Sequence, residues 1–153
     1  MYEYLKSYVV ENELEDNNLK HVFYLVSEED IHMAEVRMGR LFPDSIKEFY
    51  TSIGYGYFED VDECFTNLLM PPNSIADFYC READYYYSEE REFLSDDDFV
   101  FFEVDCNCHI VIKTSEMNKG KIYFGKRLIA DSLQEFIKKL DEKSIFFIES
   151  DNN

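Results

Sequence analysis

A corner between two helical patterns constrains this chain more than any other stretch. Met38-Gly39-Arg40-Leu41-Phe42-Pro43-Asp44 ends one apolar-periodic run and opens the next. Gly39 suits a helix exit, because glycine takes the left-handed conformation cheaply. Pro43 suits the first helical position, where its missing N–H costs nothing. Ile46, Phe49, Tyr50 and Ile53 then recur at helical spacing and define one buried face. Gly54 and Gly56 are expected to stop that second helix.

The chain has 153 residues, enough for one domain over 1–153 with its last residues frayed. Charge narrows the possible partners. There are 33 Asp and Glu against 15 Lys and Arg, a net charge of -18. Affinity for nucleic acid and for anionic membranes comes largely from Lys and Arg meeting phosphate, so neither is expected as a partner. A basic protein surface is. Residues 1–112 hold 26 acids and 7 bases, whereas 113–153 hold 7 and 8, so the acidic field belongs to the earlier part. The four cysteines form no CxxC pair. Neither a signal-peptide pattern at Met1 nor an apolar run near the ~20 residues of a membrane span is present, which predicts a cytoplasmic protein with reduced thiols.

Taken in order, residues 2–15 read as a short amphipathic helix, followed by a turn at Asn17-Asn18. His21 to Val26 is either a short strand or a loop that packs inward. Ser27 caps a helix with Glu28, Glu29 and Asp30 in its first turn, where the helix dipole favours acids. Glu59 to Glu63 is a charged loop, and Pro71-Pro72 interrupts regular structure after Leu68-Leu69-Met70. Asn73 or Ser74 then caps a helix carrying Ile75, Phe78, Tyr79, Glu82, Tyr85 and Tyr86. Residues 82–98 hold eight acids and one base, Arg91, and end in an Asp96-Asp97-Asp98 loop. Strands follow at 99–104, 108–113 and 121–124, rich in aromatic and β-branched residues, and read as an antiparallel meander. Asp131 or Ser132 caps a last helix with Leu133, Phe136, Ile137 and Leu140 on its apolar stripe. Ile145 to Ile148 forms an edge strand or a packed tail. The pattern is α+β: a central antiparallel sheet, the meander, flanked by N-terminal helices and a C-terminal helix.

No catalytic motif is spelled out. His21, His32 and His109 sit in no nucleophile–base signature. Cys106-Asn107-Cys108-His109 is the best metal candidate, but a closed zinc site needs four ligands, and small buried or turn thiols are the expectation. Asp60-x-Asp62-x-Cys64 fails as a calcium loop, with Phe65 where glycine is required. No cofactor is implied.

The segment from Ile31 to Gly56 resembles the SUKH superfamily, the Smi/Knr-like domains. Glu35 is similar to that family's helix acid, Gly39 to its glycine, Leu41-Phe42-Pro43 to its Leu-Pro corner and Gly54-Tyr55-Gly56 to its glycine-rich turn. Ala130 to Phe136 resembles the family's C-terminal helix entry, with Leu133 in an aromatic position. The chain departs from the pattern in having no Trp and in Tyr55 standing between the two glycines. The resemblance implies the same α+β fold, no catalytic residues, and a role as an immunity protein that binds a cognate toxin, often a nuclease. The alternative is a regulatory scaffold with several protein partners. Combined with the charge, it points to a basic toxin domain met by acidic loops. Expected partner-binding residues are Glu59, Asp60, Asp62 and Glu63 after the glycine turn. The acidic run adds Tyr85, Tyr86 and Tyr87 as aromatic anchors and Glu89, Glu90, Asp96, Asp97 and Asp98 as charges.

Overall fold

A computed structural model describes residues 1–12, 18–59, 65–105 and 107–148. Its elements, in chain order, are a 3-10 turn at Glu3–Tyr8, β1 (Val9–Val10), β2 (Val22–Tyr24), α1 (Glu28–Met38), α2 (Asp44–Ser52), β3 (Tyr55–Tyr57) and β4 (Leu68–Leu69). Then come α3 (Pro72–Cys80), 3-10 turns at Ala83–Tyr85 and Glu90–Phe93, β5 (Asp98–Asp105), β6 (Cys108–Lys113), β7 (Ile122–Phe124), β8 (Arg127–Ala130), α4 (Leu133–Glu142) and a 3-10 turn at Phe146–Ile148. The fold is α+β, as expected. The meander, β5 to β7, belongs to a longer sheet ordered β1 to β8, in which, among the described residues, the β1–β2 pair is parallel and the others antiparallel. Among the described residues no helix is long and apolar enough to cross a membrane.

The corner is built by Glu35. Its carboxylate accepts the Phe42 N–H at 2.8 Å and pairs with Lys47 at 2.9 Å, tying α1 to α2 across the turn. Gly39 closes α1 in the left-handed conformation, φ 65°, and its N–H returns to the carbonyls of Glu35 and Val36. Phe42 turns inward against Tyr50 and Phe99, whereas Leu41 stays exposed. Pro43 stands one residue earlier than expected: it is the N-cap, and its carbonyl receives the N–H groups of Ile46 and Lys47. The expected face of α2 is buried in full, with Ile46, Phe49, Tyr50 and Ile53 in the core and the Tyr50 hydroxyl donating to the Met70 carbonyl at 2.6 Å.

α2 ends at Ser52, and Gly54 helps to end it as expected, at φ 130° with its N–H donating to the Phe49 carbonyl at 3.1 Å. Both glycines after α2 also do work that was not expected. Gly56 lies within β3 opposite Phe23, and a Cβ there would stand 2.1 Å from the Val22 carbonyl oxygen. At Gly54 a Cβ would come within 1.9 Å of the Tyr24 oxygen. Both glycines let β3 close against β2.

Further on, Pro72 opens α3 rather than interrupting it; proline at a first helical position forfeits no bond. That helix is shorter than its spacing predicted. It ends at Cys80, because Arg81 turns left-handed at φ 56° and Tyr85 belongs to a separate 3-10 turn. The N-terminal helix is likewise reduced to a 3-10 turn that runs into β1. β5, with Phe99 to Phe102 all buried, is the spine of the core. A bulge between Val100 and Phe102 lets both Phe101 and Phe102 pack on Phe136 of α4, while Phe99 meets the corner and α3. Ser132 caps α4 by accepting the Glu135 N–H, and Phe147 returns the tail to the core.

Candidate protein-binding surface

The acidic run after α3 has no α or β structure until Asp98 opens β5, and its side chains fasten it to β5 and β6. Tyr85 is buried, and its hydroxyl donates to Glu103 of β5 at 2.7 Å. Glu90 receives His109 Nδ1 at 2.6 Å, while Nε2 of the same ring lies 3.3 Å from Glu103. The imidazole is fully buried between two carboxylates and packs on Phe78 and Tyr85. Burial alone would lower its pKa; the hydrogen bonds with Glu103 and Glu90 outweigh that and push it up to about 9. The ring is therefore an imidazolium at neutral pH, donating from both nitrogens. Burial works to raise the Glu103 carboxyl, but His109 and Tyr85 together hold it below its ordinary value. Arg91 reaches the Tyr79 carbonyl, and Arg81 pairs with Glu92 at 3.3 Å.

The Asp96-Asp97-Asp98 triplet divides. Asp98 is the first residue of β5, half of an ion pair with Lys113 at 2.6 Å, and accepts the Ser95 N–H. Asp97 accepts the N–H groups of Thr114 and Ser115, which hold its pKa low against the opposing effect of burial. Asp96 is exposed, and only its carbonyl is used, by Arg40. Of the expected partner-binding residues, then, Tyr85, Glu90, Asp97 and Asp98 are turned into the fold. Tyr86, Tyr87, Glu89 and Asp96 face solvent. Glu59 is half-buried; its N–H donates to His21 Nδ1 at 2.9 Å, and His21 Nε2 donates to Asp141 at 2.9 Å. Asp60, Asp62 and Glu63 lie outside the described residues, as does Cys106 of the metal candidate.

A groove of about 710 Å3 lies beside this segment, bounded by Glu90, Phe93 and Leu94 on one side and by His109, Val111, Lys113 and Tyr123 of the sheet on the other. Phe93 was absent from the sequence expectation. It is nevertheless among the most exposed aromatic residues described. A signal existed: Phe93 is an aromatic residue inside an otherwise acidic run, too short and irregular to bury it by periodicity.

Backbone strain marks the start of the same segment. Arg81 and Ala83 have φ of 56° and 52°, a region that costs an L-residue roughly 1 kcal/mol or more. Replacing Ala83 with Gly should therefore stabilise the fold by about 0.5–1 kcal/mol in a urea melt. A loss of stability would show that Ala83 carries no strain.

Fold and surface together define an acidic α+β protein with a clamped, aromatic-and-acid face. Residues 25–139 match the SMI1 / KNR4 family (SUKH-1), and the chain belongs to that family. It is similar to a protein named Immunity protein YxxD from Bacillus subtilis (strain 168), with 29% identity over 136 residues that cover 87% of this chain and 92% of that relative. No solved structure matches the chain.

Proposed function

We propose that this protein is an immunity protein that binds and neutralises a cognate toxin, and that the toxin domain is basic, of the nuclease type. The observation that carries the reading is the likeness to Immunity protein YxxD across most of both chains. The net charge of -18 supports the choice of partner. A domain that grips phosphate is cationic where it does so. An acidic protein is steered to such a surface at high rate and competes there with the nucleic acid. The role asks for binding, not turnover. The acidic loops, beginning at Glu59, Asp60, Asp62 and Glu63 and continuing through Glu89 and Asp96, are the surface proposed for that contact. Glu90, Asp97 and Asp98 support it from within.

The test is co-expression with the C-terminal domain of a toxin-like protein encoded beside it. Cells carrying both should grow, and the two chains should co-elute in gel filtration at low salt. Killing in the presence of this protein, with no complex formed, would rule the reading out.

A further inference from the structure

We propose that Tyr86, Tyr87 and Phe93 are the anchors of the partner contact, and that the partner presents apolar sockets set among Lys and Arg side chains. This rests on the toxin-neutralising reading and specifies how the contact is made.

Exposure is the first observation. Tyr87 is 90%, Phe93 84% and Tyr86 65% exposed, whereas the next aromatic residues, Tyr57 and Tyr4, are under half. All three stand within residues 86–93. The Tyr86 and Tyr87 rings touch edge to face, 4.8 Å between centroids, so each limits the other's freedom. Solvated aromatic rings on a monomer gain nothing where they are; on binding, Tyr and Phe supply large area for little rotamer entropy.

Charge is the second. Asp84, Glu89, Glu92 and Asp96 are exposed around these rings. Among the described residues, the carboxylates of Asp84, Glu89 and Asp96 have no hydrogen-bonding or ion-pair partner, so their field is directed outward. Exposed rings beside the unpaired carboxylates of Asp84, Glu89 and Asp96 fit a basic protein surface, with Arg81 held by Glu92 and Lys113 held by Asp98. Another set of exposed apolar residues, Leu25, Met33, Val36 and Leu41 around α1, is aliphatic and stands among Arg37 and Arg40 as well as acids. It presents no exposed ring and names no partner.

The third observation is that the backbone below the rings is fixed. Left-handed Arg81 and Ala83 turn the chain out of α3. Arg37 then holds Glu82 at 3.1 Å, the Tyr85 hydroxyl holds Glu103, and Glu90 is locked to His109. Two buried tethers at 85 and 90 thus bracket Tyr86 and Tyr87 and stop three residues short of Phe93. Anchors on a pre-formed support lose less freedom on binding.

The experiment measures association and dissociation rates of the whole protein on the immobilised toxin domain, an inactive variant of the one used for co-expression. Circular dichroism melts confirm that each variant is folded. Tyr87→Ala and Phe93→Ala should each weaken binding about 10- to 100-fold, mainly through faster dissociation. Glu89→Lys with Asp96→Lys should slow association about 10-fold and flatten its salt dependence. Leu25→Ala and Val36→Ala should change affinity less than about twofold. If the wild-type protein binds and protects but folded Tyr87→Ala and Phe93→Ala keep its affinity, the anchors are wrong and the immunity reading stands. Loss of affinity in Leu25→Ala and Val36→Ala instead would place the contact on α1. If the wild-type protein neither binds nor protects, both readings fall.

Discussion

Stability should fall as the pH rises from about 6.5 to about 9, by roughly 3 kcal/mol, with His109 as the cause. The folded protein holds the His109 proton more tightly than the unfolded chain does. The contribution is therefore complete below the unfolded pKa and lost as pH climbs through the folded one. His21 acts in the opposite sense. Burial lowers its pKa more than Asp141 raises it, so its contribution is present above the unfolded value and lost in acid. The Glu103 carboxyl, held low, also loses its contribution in acid. Stability should peak near neutral pH and decline on both sides. His109→Leu removes the cation but leaves Glu90 and Glu103 facing each other, which should cost about 3–5 kcal/mol at pH 7 and lower the melting temperature by about 10 °C. The triple variant with Glu90→Gln and Glu103→Gln should recover most of this. Denaturant melts from pH 6 to 9.5 read both effects. A slope that persists unchanged in His109→Leu would assign the alkaline loss to another group.

Gly54→Ala and Gly56→Ala should each cost about 4 kcal/mol or leave the protein insoluble, while Gly39→Ala costs about 1 kcal/mol. The added Cβ meets backbone oxygen at 1.9 Å at Gly54 and at 2.1 Å at Gly56, in both cases on β2, which flexible side-chain movement cannot relieve. Either β2 and β3 separate or the strand pair shifts; the Phe23–Phe49 and Phe23–Phe58 ring contacts go with them. At Gly39 nothing lies within 4 Å, so alanine pays only for a left-handed backbone at φ 65°. Thermal melts of Gly56→Ala and Gly39→Ala separate steric closure from conformational preference, and Gly54, at φ 130°, combines the two. Equal losses at all three would mean that the cap, not strand approach, governs this region.

Sequence periodicity served well where one helix face meets the core. Ser27 caps the helix it was expected to cap, Ser132 rather than Asp131 caps α4, and the stripe of α4 is buried residue for residue. It failed where burial is two-sided or where contacts are distant. β3 and β4 are too short to show alternation, and β8 was missed because its pairing with β7 is a hairpin matter. Tyr85 and Tyr86 kept the spacing of α3, but Arg81 breaks the helix before it reaches them. The candidate surface was legible as composition only. Eight acids in 82–98 named the segment; which of them face outward depended on His109, Lys113 and the Thr114–Ser115 N–H groups, all later in the chain.

From the chain alone came the corner from Met38 to Gly56, the order of helices and meander, the family likeness and the sign of the field. Those depend on local backbone preference, on the period of apolar residues and on the number of charges, none of which requires knowing what lies opposite. Tertiary structure decided what the glycines and carboxylates are for. Gly56 answers to the carbonyls of β2 rather than to helix termination, whereas Gly54 serves both, with its N–H on the Phe49 carbonyl and its α-carbon against the Tyr24 oxygen. Glu90, Asp97 and Asp98 are held by partners that folding brings to them, while among the described residues Glu89 and Asp96 have no side-chain partner. A charge acquires its role from the group it faces, and only the folded chain places that group.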